Sequence, residues 1–401
     1  MNKLIQNTIT ALNERFNEVD RTALENQHKV LNAFKSQRIA LRHFAPTSGY
    51  GYDDVGRDTL NKLYAEVFNT EDAIVSPLIA SGTHALTTAL FGLLRPDQTL
   101  LCATGKPYDT LNDVIFGDGI GSLKDFNVKC VIVPLKDGKP DLEAISHEIK
   151  ANKPSVVMMQ RSRGYDMRPA LSVKQMQDIA SLVDRKTSYI MIDNCYGEFT
   201  ETIEPSFADA LVGSLIKNVG GGIAPTGGYI GGSKRAISQI EGRLTAPSIG
   251  REVGSYAGDY RPFYQGLFLA PHVTAQSIKT ALLFSKVFTD LGYKTLPSPN
   301  DSVDDIICSI NFGDPDKLIK FCQTIQTLSP VDSFAVPEPW DMPGYSDKII
   351  MAAGAFVQGA SIELSCDAPI RPPYTAYLQG GLTFEHGILA LEGCLNALGI
   401  N

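Results

Sequence analysis

The segment Ser188-Tyr-Ile-Met-Ile-Asp-Asn-Cys-Tyr-Gly197 decides how this chain folds. Four residues in a row, Tyr189 to Ile192, are apolar, and a carboxylate follows at Asp193. A short apolar run with no polar alternation is the mark of a strand covered on both faces. An aspartate at the end of such a strand must find a cation or a protonated ring nitrogen, because an unpaired buried charge costs several kcal/mol. A helix cap or a structural ion pair would satisfy it equally.

Outward from this strand the same pattern repeats. Ala73 to Ser76, Thr99 to Cys102, Val128 to Val133 and Ser155 to Met159 read as further short strands. Helical stretches such as Leu171 to Val183 separate them. Between about residues 72 and 235 the chain therefore predicts an α/β fold with a mostly parallel sheet covered on both faces. In such sheets ligands bind beyond the carboxyl ends of the strands. Residues from about 7 to 40 carry apolar side chains at helical spacing and read as a helical arm. Asp58 reads as the N-cap of a helix running towards Phe68. Pro271 to Leu291 reads as a long helix leading to a smaller C-terminal α+β domain. The expected division is an arm over 1–50, a large domain over 51–280 and a small domain over 281–401.

Two further segments lie where strand ends and helix starts are expected. Ser81-Gly-Thr83 opens a helix, and the free N–H groups and dipole there suit an anion. Lys217 follows Asp193 by 24 residues, with Ser214 three residues ahead of it. Seven glycines come after it within "SLIKNVGGGIAPTGGYIGG" (214–232), and these are read as giving a bound ligand room. Each signal has an ordinary reading, as a capping turn or a solvated lysine. Together they form an ordered set of anion-binding turn, strand-end aspartate, and lysine with a hydroxyl nearby. Pyridoxal phosphate needs these parts: donors for its phosphate, a carboxylate for its ring nitrogen and an amine for its aldehyde.

The 401-residue chain has a net charge of −8, which argues against nucleic acid as its main partner. No apolar run approaches the roughly 20 residues of a membrane span, and the N-terminus lacks an apolar signal core. The seven scattered cysteines read as reduced, buried thiols of a cytoplasmic protein. No acidic or histidine group has metal-ligand spacing, so no metal site is expected.

The chain resembles the fold-type I pyridoxal-phosphate enzymes of cysteine and methionine metabolism. Within them it is most similar to the methionine gamma-lyase or aluminium-resistance branch. The resemblance spans nearly the whole sequence. It is carried by "GYGYDDVGRDTL" (49–60), "SGTHAL" (81–86), "TGKPYDTL" (104–111), "QRSRGY" (160–165), "MIDNCYGEF" (191–199), "SLIKNVGGGIAPTGGYI" (214–230) and "RPPYTAYLQGGLT" (371–383). It implies that Ser81, Gly82, Thr83 and Ser214 hold the cofactor phosphate. It also implies that Tyr108 stacks on the ring, that Asp193 pairs with the ring nitrogen and that Lys217 is the Schiff-base lysine. Tyr50 or Tyr52 and Arg57 match a segment that reaches the phosphate of a neighbouring subunit, implying a site shared within a homodimer or homotetramer. Arg371 stands where a substrate-carboxylate arginine is expected. Gln160 to Tyr165 departs from the family's asparagine-containing segment, so Arg163 either takes over the contact near the ring hydroxyl or binds substrate.

The activity implied is elimination of a thiol from a sulfur-containing amino acid: methionine, cystathionine or cysteine. Lys217 would move the α-proton and Tyr108 would protonate the leaving sulfur. The same scaffold also serves transamination or replacement, and a non-catalytic stress-response protein could keep the fold.

Overall fold

The structure, a computed structural model, describes residues 2–342 and 345–400. Its centre is a seven-stranded sheet: β1 (Asp72–Ser76), β2 (Thr99–Cys102), β3 (Lys129–Ile132), β4 (Val156–Gln160), β5 (Tyr189–Asp193), β6 (Ala210–Ser214) and β7 (Gly228–Gly232). The spatial order is β1-β7-β6-β5-β4-β2-β3. Strands β6, β5, β4, β2 and β3 are parallel, while β7 runs antiparallel to both β6 and β1.

The apolar runs alternate between two cores, as a strand period of two requires. Val157, Met159, Ile190 and Ile192 join one cluster, whereas Val156, Met158 and Met191 join the other. The helices that precede the C-terminal sheet are α1 (Lys3–Ala11), α2 (Asn13–Ser36), α3 (Val55–Val67), α4 (Gly82–Leu93), α5 (Asn112–Phe116), α6 (Leu142–Asn152), α7 (Val173–Ala180), α8 (Lys234–Leu244) and α9 (Arg261–Asp290). Residues of α4 and α8 cover one face of the sheet, and residues of α2, α3, α7 and α9 cover the other.

A second, antiparallel sheet follows. Its strands are β8 (Lys294–Leu296), β9 (Ile307–Asn311), β10 (Ile349–Ala352), β11 (Ser365–Pro369) and β12 (Thr375–Gln379), ordered β10-β11-β12-β9-β8. One face is apolar: Cys308, Ile310, Cys366, Ala368, Ala376 and Leu378 pack on the second half of α9 and on α10 (Pro315–Thr327) and α11 (Phe384–Ala397). The alternate residues Ser309, Ser365, Asp367, Thr375 and Gln379 are polar and buried. A polar face of this kind turns towards something other than a hydrophobic core.

Two expected helix starts move. Helix α3 is capped by Asp54, whose Oδ1 accepts from Arg57 N–H at 3.0 Å, and not by Asp58. Asp58 sits in the first turn instead, paired with Arg57 Nε at 2.9 Å. Helix α9 begins at Arg261, ten residues before Pro271, which lies in its interior. A proline at the first turn (Pro262) fits an N-terminus. The helix is buried along its length, its first half in the large core and its second half in the small one. The N-terminal arm lies on its own chain. Asn26 Nδ2 donates to the carbonyls of Phe199 and Glu201 at 3.2 and 3.0 Å.

The glycine-rich segment also has a different use from the one expected. A Cβ on Gly220 would stand 1.9 Å from the Leu215 carbonyl, and one on Gly266 would stand 2.3 Å from the Gly220 carbonyl. Gly220 thus lets the turn after β6 close on itself, and Gly266 lets that turn pack backbone to backbone on α9. None of the seven lines the cavity described next.

Candidate active site

The parallel strands end at one place. Gln160 closes β4, Asp193 closes β5 in register with it, and Ser214 closes β6. Beyond these ends lies a cavity of ≈ 200 Å³ lined by Ser81, Gly82, Thr83, Tyr108, Gln160, Asp193, Cys195, Tyr196, Ser214 and Lys217, among others. The structure thus brings together seven of the residues singled out in the sequence, drawn from four separate segments.

Each is held by local geometry. Ser81 caps α4, its Oγ accepting from His84 N–H at 3.1 Å. The cap leaves the first N–H groups of a 12-residue helix facing the cavity rim, with the positive end of its dipole. Thr83 Oγ1 lies 2.8 Å from Thr110 Oγ1. A Cβ on Gly82 would stand 3.3 Å from Ser214 Cβ and 3.6 Å from Cys195 Sγ, so this helix start sits close against the end of β6. Asp193 is 6% exposed, and its Oδ1 accepts from Cys195 N–H at 3.1 Å.

Lys217 is placed by the turn after β6. Its Nζ lies 4.0 Å from the centre of the Tyr196 ring, a cation–π contact. Tyr196 adopts φ 71°, in the left-handed region that non-glycine residues rarely enter. Strain of that kind collects at functional sites. Burial alone would push the Lys217 amine down, yet Cys195, Tyr196, Asp193 and Glu198 together raise it above the ordinary lysine value. Burial pushes the Cys195 thiol and the Tyr196 phenol up, and Glu198 up to about 8. Burial also raises Asp193, which Lys217 holds down.

A larger chamber of ≈ 520 Å³ adjoins the cavity and shares Tyr108, Gln160 and Gly164 with it. Arg163 and Arg371 both line this chamber. Arg371 is at its rim, its side chain 46% exposed and its Nη1 donating to Asp347 Oδ2 at 2.6 Å. Arg163 is buried, and its Nε and Nη2 grip Asp305 at 3.2 and 3.1 Å. Only its Nη1 is left without a hydrogen-bond partner. Arg163 is thus a structural tie to the loop before β9 that keeps one donor free. Gln160 Oε1, buried between the two spaces, is likewise unpaired.

Tyr50, Tyr52 and Arg57 line neither space within one chain. The two tyrosines are 71% and 65% exposed, with ring centroids 5.5 Å apart. Arg57 is buried and ties Gly51 and Gly254 carbonyls at 3.0 and 3.4 Å. Sequence reasoning missed Cys195 and Tyr196 as residues of the cavity, and Tyr345, whose hydroxyl lies 2.9 Å from that of Tyr108. Cys195 and Tyr196 follow the strand-end aspartate directly, a position that carried a signal. Tyr345 comes from a distant loop and left none.

The donor set tests what the cavity could hold. A helix N-terminus with hydroxyls, a buried carboxylate and an amine cannot be satisfied by one simple anion or cation. They match a flat molecule carrying a phosphate, a basic ring nitrogen and an aldehyde, and the residues present fit pyridoxal phosphate. Among the described residues no cluster of histidine, cysteine, aspartate and glutamate has metal-binding geometry.

The family described as methionine gamma-lyase matches residues 1–399. YnbB of Bacillus subtilis (strain 168), an uncharacterized protein, is 46% identical over 389 residues, covering 95% of this chain and 92% of YnbB. The structure of a carbon-sulfur lyase involved in aluminum resistance from Clostridium novyi NT is 50% identical. It superposes with a TM-score of 0.93, covering 99% of this chain and 94% of that one. The pyridoxal-5'-phosphate-dependent protein YhfS of Escherichia coli is 15% identical, with a TM-score of 0.63 over 94% of this chain and 96% of YhfS, and it shares the fold alone.

Proposed function

Because the chain belongs to the methionine gamma-lyase family, we propose that it is a pyridoxal-phosphate-dependent carbon–sulfur lyase. Its substrate would be a sulfur-containing amino acid: methionine, cystathionine or cysteine. The observation that carries the reading is the ≈ 200 Å³ cavity into which Lys217, Asp193 and the start of α4 converge. The name of the Clostridium novyi relative, a carbon-sulfur lyase, supports the reaction class.

When bound, pyridoxal phosphate supplies an electron sink for negative charge formed at the substrate α-carbon. Ser81, Gly82, Thr83 and Ser214 would hold the phosphate. Asp193 would keep the ring nitrogen protonated, and its desolvated position strengthens that pairing. Lys217 would hold the aldehyde covalently in the resting enzyme and, once released, move the α-proton. Tyr196 would keep the released amine in place over its ring face. Tyr108 would flank the cofactor ring and give its proton to the leaving sulfur. Arg371 would bind the substrate carboxylate, with the free Nη1 of Arg163 as a second donor.

Ser81 and His84 are exposed in the single chain, so the phosphate side stands open. That fits a homodimer or homotetramer in which Tyr50 or Tyr52 and Arg57 of another copy complete the site. The direct test is to supply cysteine, cystathionine and methionine separately to cofactor-loaded protein and to assay thiol, ammonia and keto acid. Equal ammonia and keto acid support elimination. Keto acid without ammonia, formed only when a second keto acid is present, would establish transamination instead.

A further inference from the structure

The Tyr108 hydroxyl is not alone. It lies 2.9 Å from the hydroxyl of Tyr345. The Tyr345 ring is 5.6 Å from that of Tyr165, which is itself 6.0 Å from Tyr108 and 5.3 Å from Tyr377. Behind Tyr165 stands Asp367, on the polar face of the second sheet. Its Oδ2 accepts from Gln379 Nε2 at 2.8 Å, and the Tyr165 hydroxyl faces it. Burial pushes the Asp367 carboxyl up to about 6, with Tyr165, Gln379 and Lys217 opposing. The row therefore runs from a buried carboxyl, past Tyr165, to the hydrogen-bonded pair Tyr345 and Tyr108, the second of which lines the cofactor cavity.

Packing does not account for this row. Phenylalanines would fill the same space without desolvating hydroxyls, and a buried hydroxyl costs free energy unless it is paired. Hydrogen-bonded hydroxyls in sequence do something phenyl rings cannot: they pass protons and polarise one another. Beyond Tyr345 the contacts are ring to ring, and catalytic hydrogen bonds commonly tighten on substrate binding.

We propose that Tyr345 is a positioning residue for the elimination: its hydroxyl donates to the Tyr108 oxygen, turning the Tyr108 proton towards the leaving sulfur, and replaces that proton as it departs. This rests on the reading of Tyr108 as the acid. As the carbon–sulfur bond breaks, sulfur takes the Tyr108 proton. The Tyr345 proton moves to the Tyr108 oxygen. The net change is one proton from Tyr345 to sulfur. Solvent returns it through the chamber that Tyr165 lines.

The test is Tyr345→Phe in the cofactor-loaded enzyme on two amino acids. S-methyl-L-cysteine has a leaving group that needs a proton, and β-chloro-L-alanine has one that does not. The inference expects kcat for the thioether to fall at least about tenfold relative to kcat for the chloride, with KM nearly unchanged. Equal losses on both substrates would mean that Tyr345 only supports the fold, and no loss on the thioether would remove it from the proton path. Wild-type holoenzyme that releases keto acid from neither substrate, nor from cystathionine or methionine, would overturn the lyase reading itself, an outcome distinct from either.

Discussion

Lys217 and Asp193 line one cavity, and each alters the other's protonation. Lys217→Ala removes the amine that would move the α-proton. Turnover should fall by at least about 100-fold, the lower range for loss of a positioned acid–base group, while the phosphate site at α4 remains able to bind cofactor. Steady-state kinetics beside cofactor titration separate the two effects, and near-normal turnover would refute the role. Arg163 and Arg371 should behave oppositely. Arg163→Ala leaves the buried Asp305 carboxylate without its guanidinium partner, so it should destabilise the protein by about 3–5 kcal/mol in urea unfolding. Arg371→Ala, at an exposed rim, should change stability by no more than about 0.5 kcal/mol and mainly raise KM for the amino acid. A stable Arg163→Ala variant would contradict the reading of that residue as a tie.

At the scale of elements, the strand-end positions were legible because parallel strands write themselves as unbroken apolar runs, as in Ile190 to Ile192 and Val156 to Met159. Asp193 was legible for the same reason, since it sits where such a run stops, while Ser81 was legible as a helix start and Ser214 by standing three residues before Lys217. The start of α9 was not, because a proline inside a buried helix looks like a beginning. Nor was the purpose of the triple glycine, which depends on how closely α9 approaches. Contacts of that kind join residues far apart in sequence, as do those of Tyr345. Gly220→Ala should therefore cripple folding, its Cβ meeting a carbonyl at 1.9 Å; soluble yield and thermal melting report it. The buried Glu198 on the turn after β5 gives a pH signature. Burial raises its carboxyl to about 8, against the accepting hydrogen bond from Tyr229. A raised carboxylate stabilises the fold below its unfolded value, and that contribution is lost as pH rises towards about 8. Glu198→Gln should thus gain stability relative to wild type between about pH 5 and pH 8 and level off above. A parallel pair of melting curves across that range would contradict it.

At the scale of the whole molecule, two sheets meet over one cleft. The large sheet offers strand ends to a cofactor, and the small sheet offers a polar face to whatever lies above it. The exposed pair Tyr50 and Tyr52 stands away from the cleft of its own chain. If another copy supplies these residues, mixing Lys217→Ala protein with Tyr50→Phe/Tyr52→Phe protein after subunit exchange should restore about a quarter of wild-type activity, because half of the exchanged dimers carry one intact site. No recovery after verified exchange would place those tyrosines outside the site.

The most direct measurement is borohydride reduction of protein purified with pyridoxal phosphate, followed by peptide mass mapping. The account predicts loss of the yellow colour and a single phosphopyridoxyl adduct on Lys217. An adduct on any other lysine, with Lys217 unmodified in active protein, would contradict it.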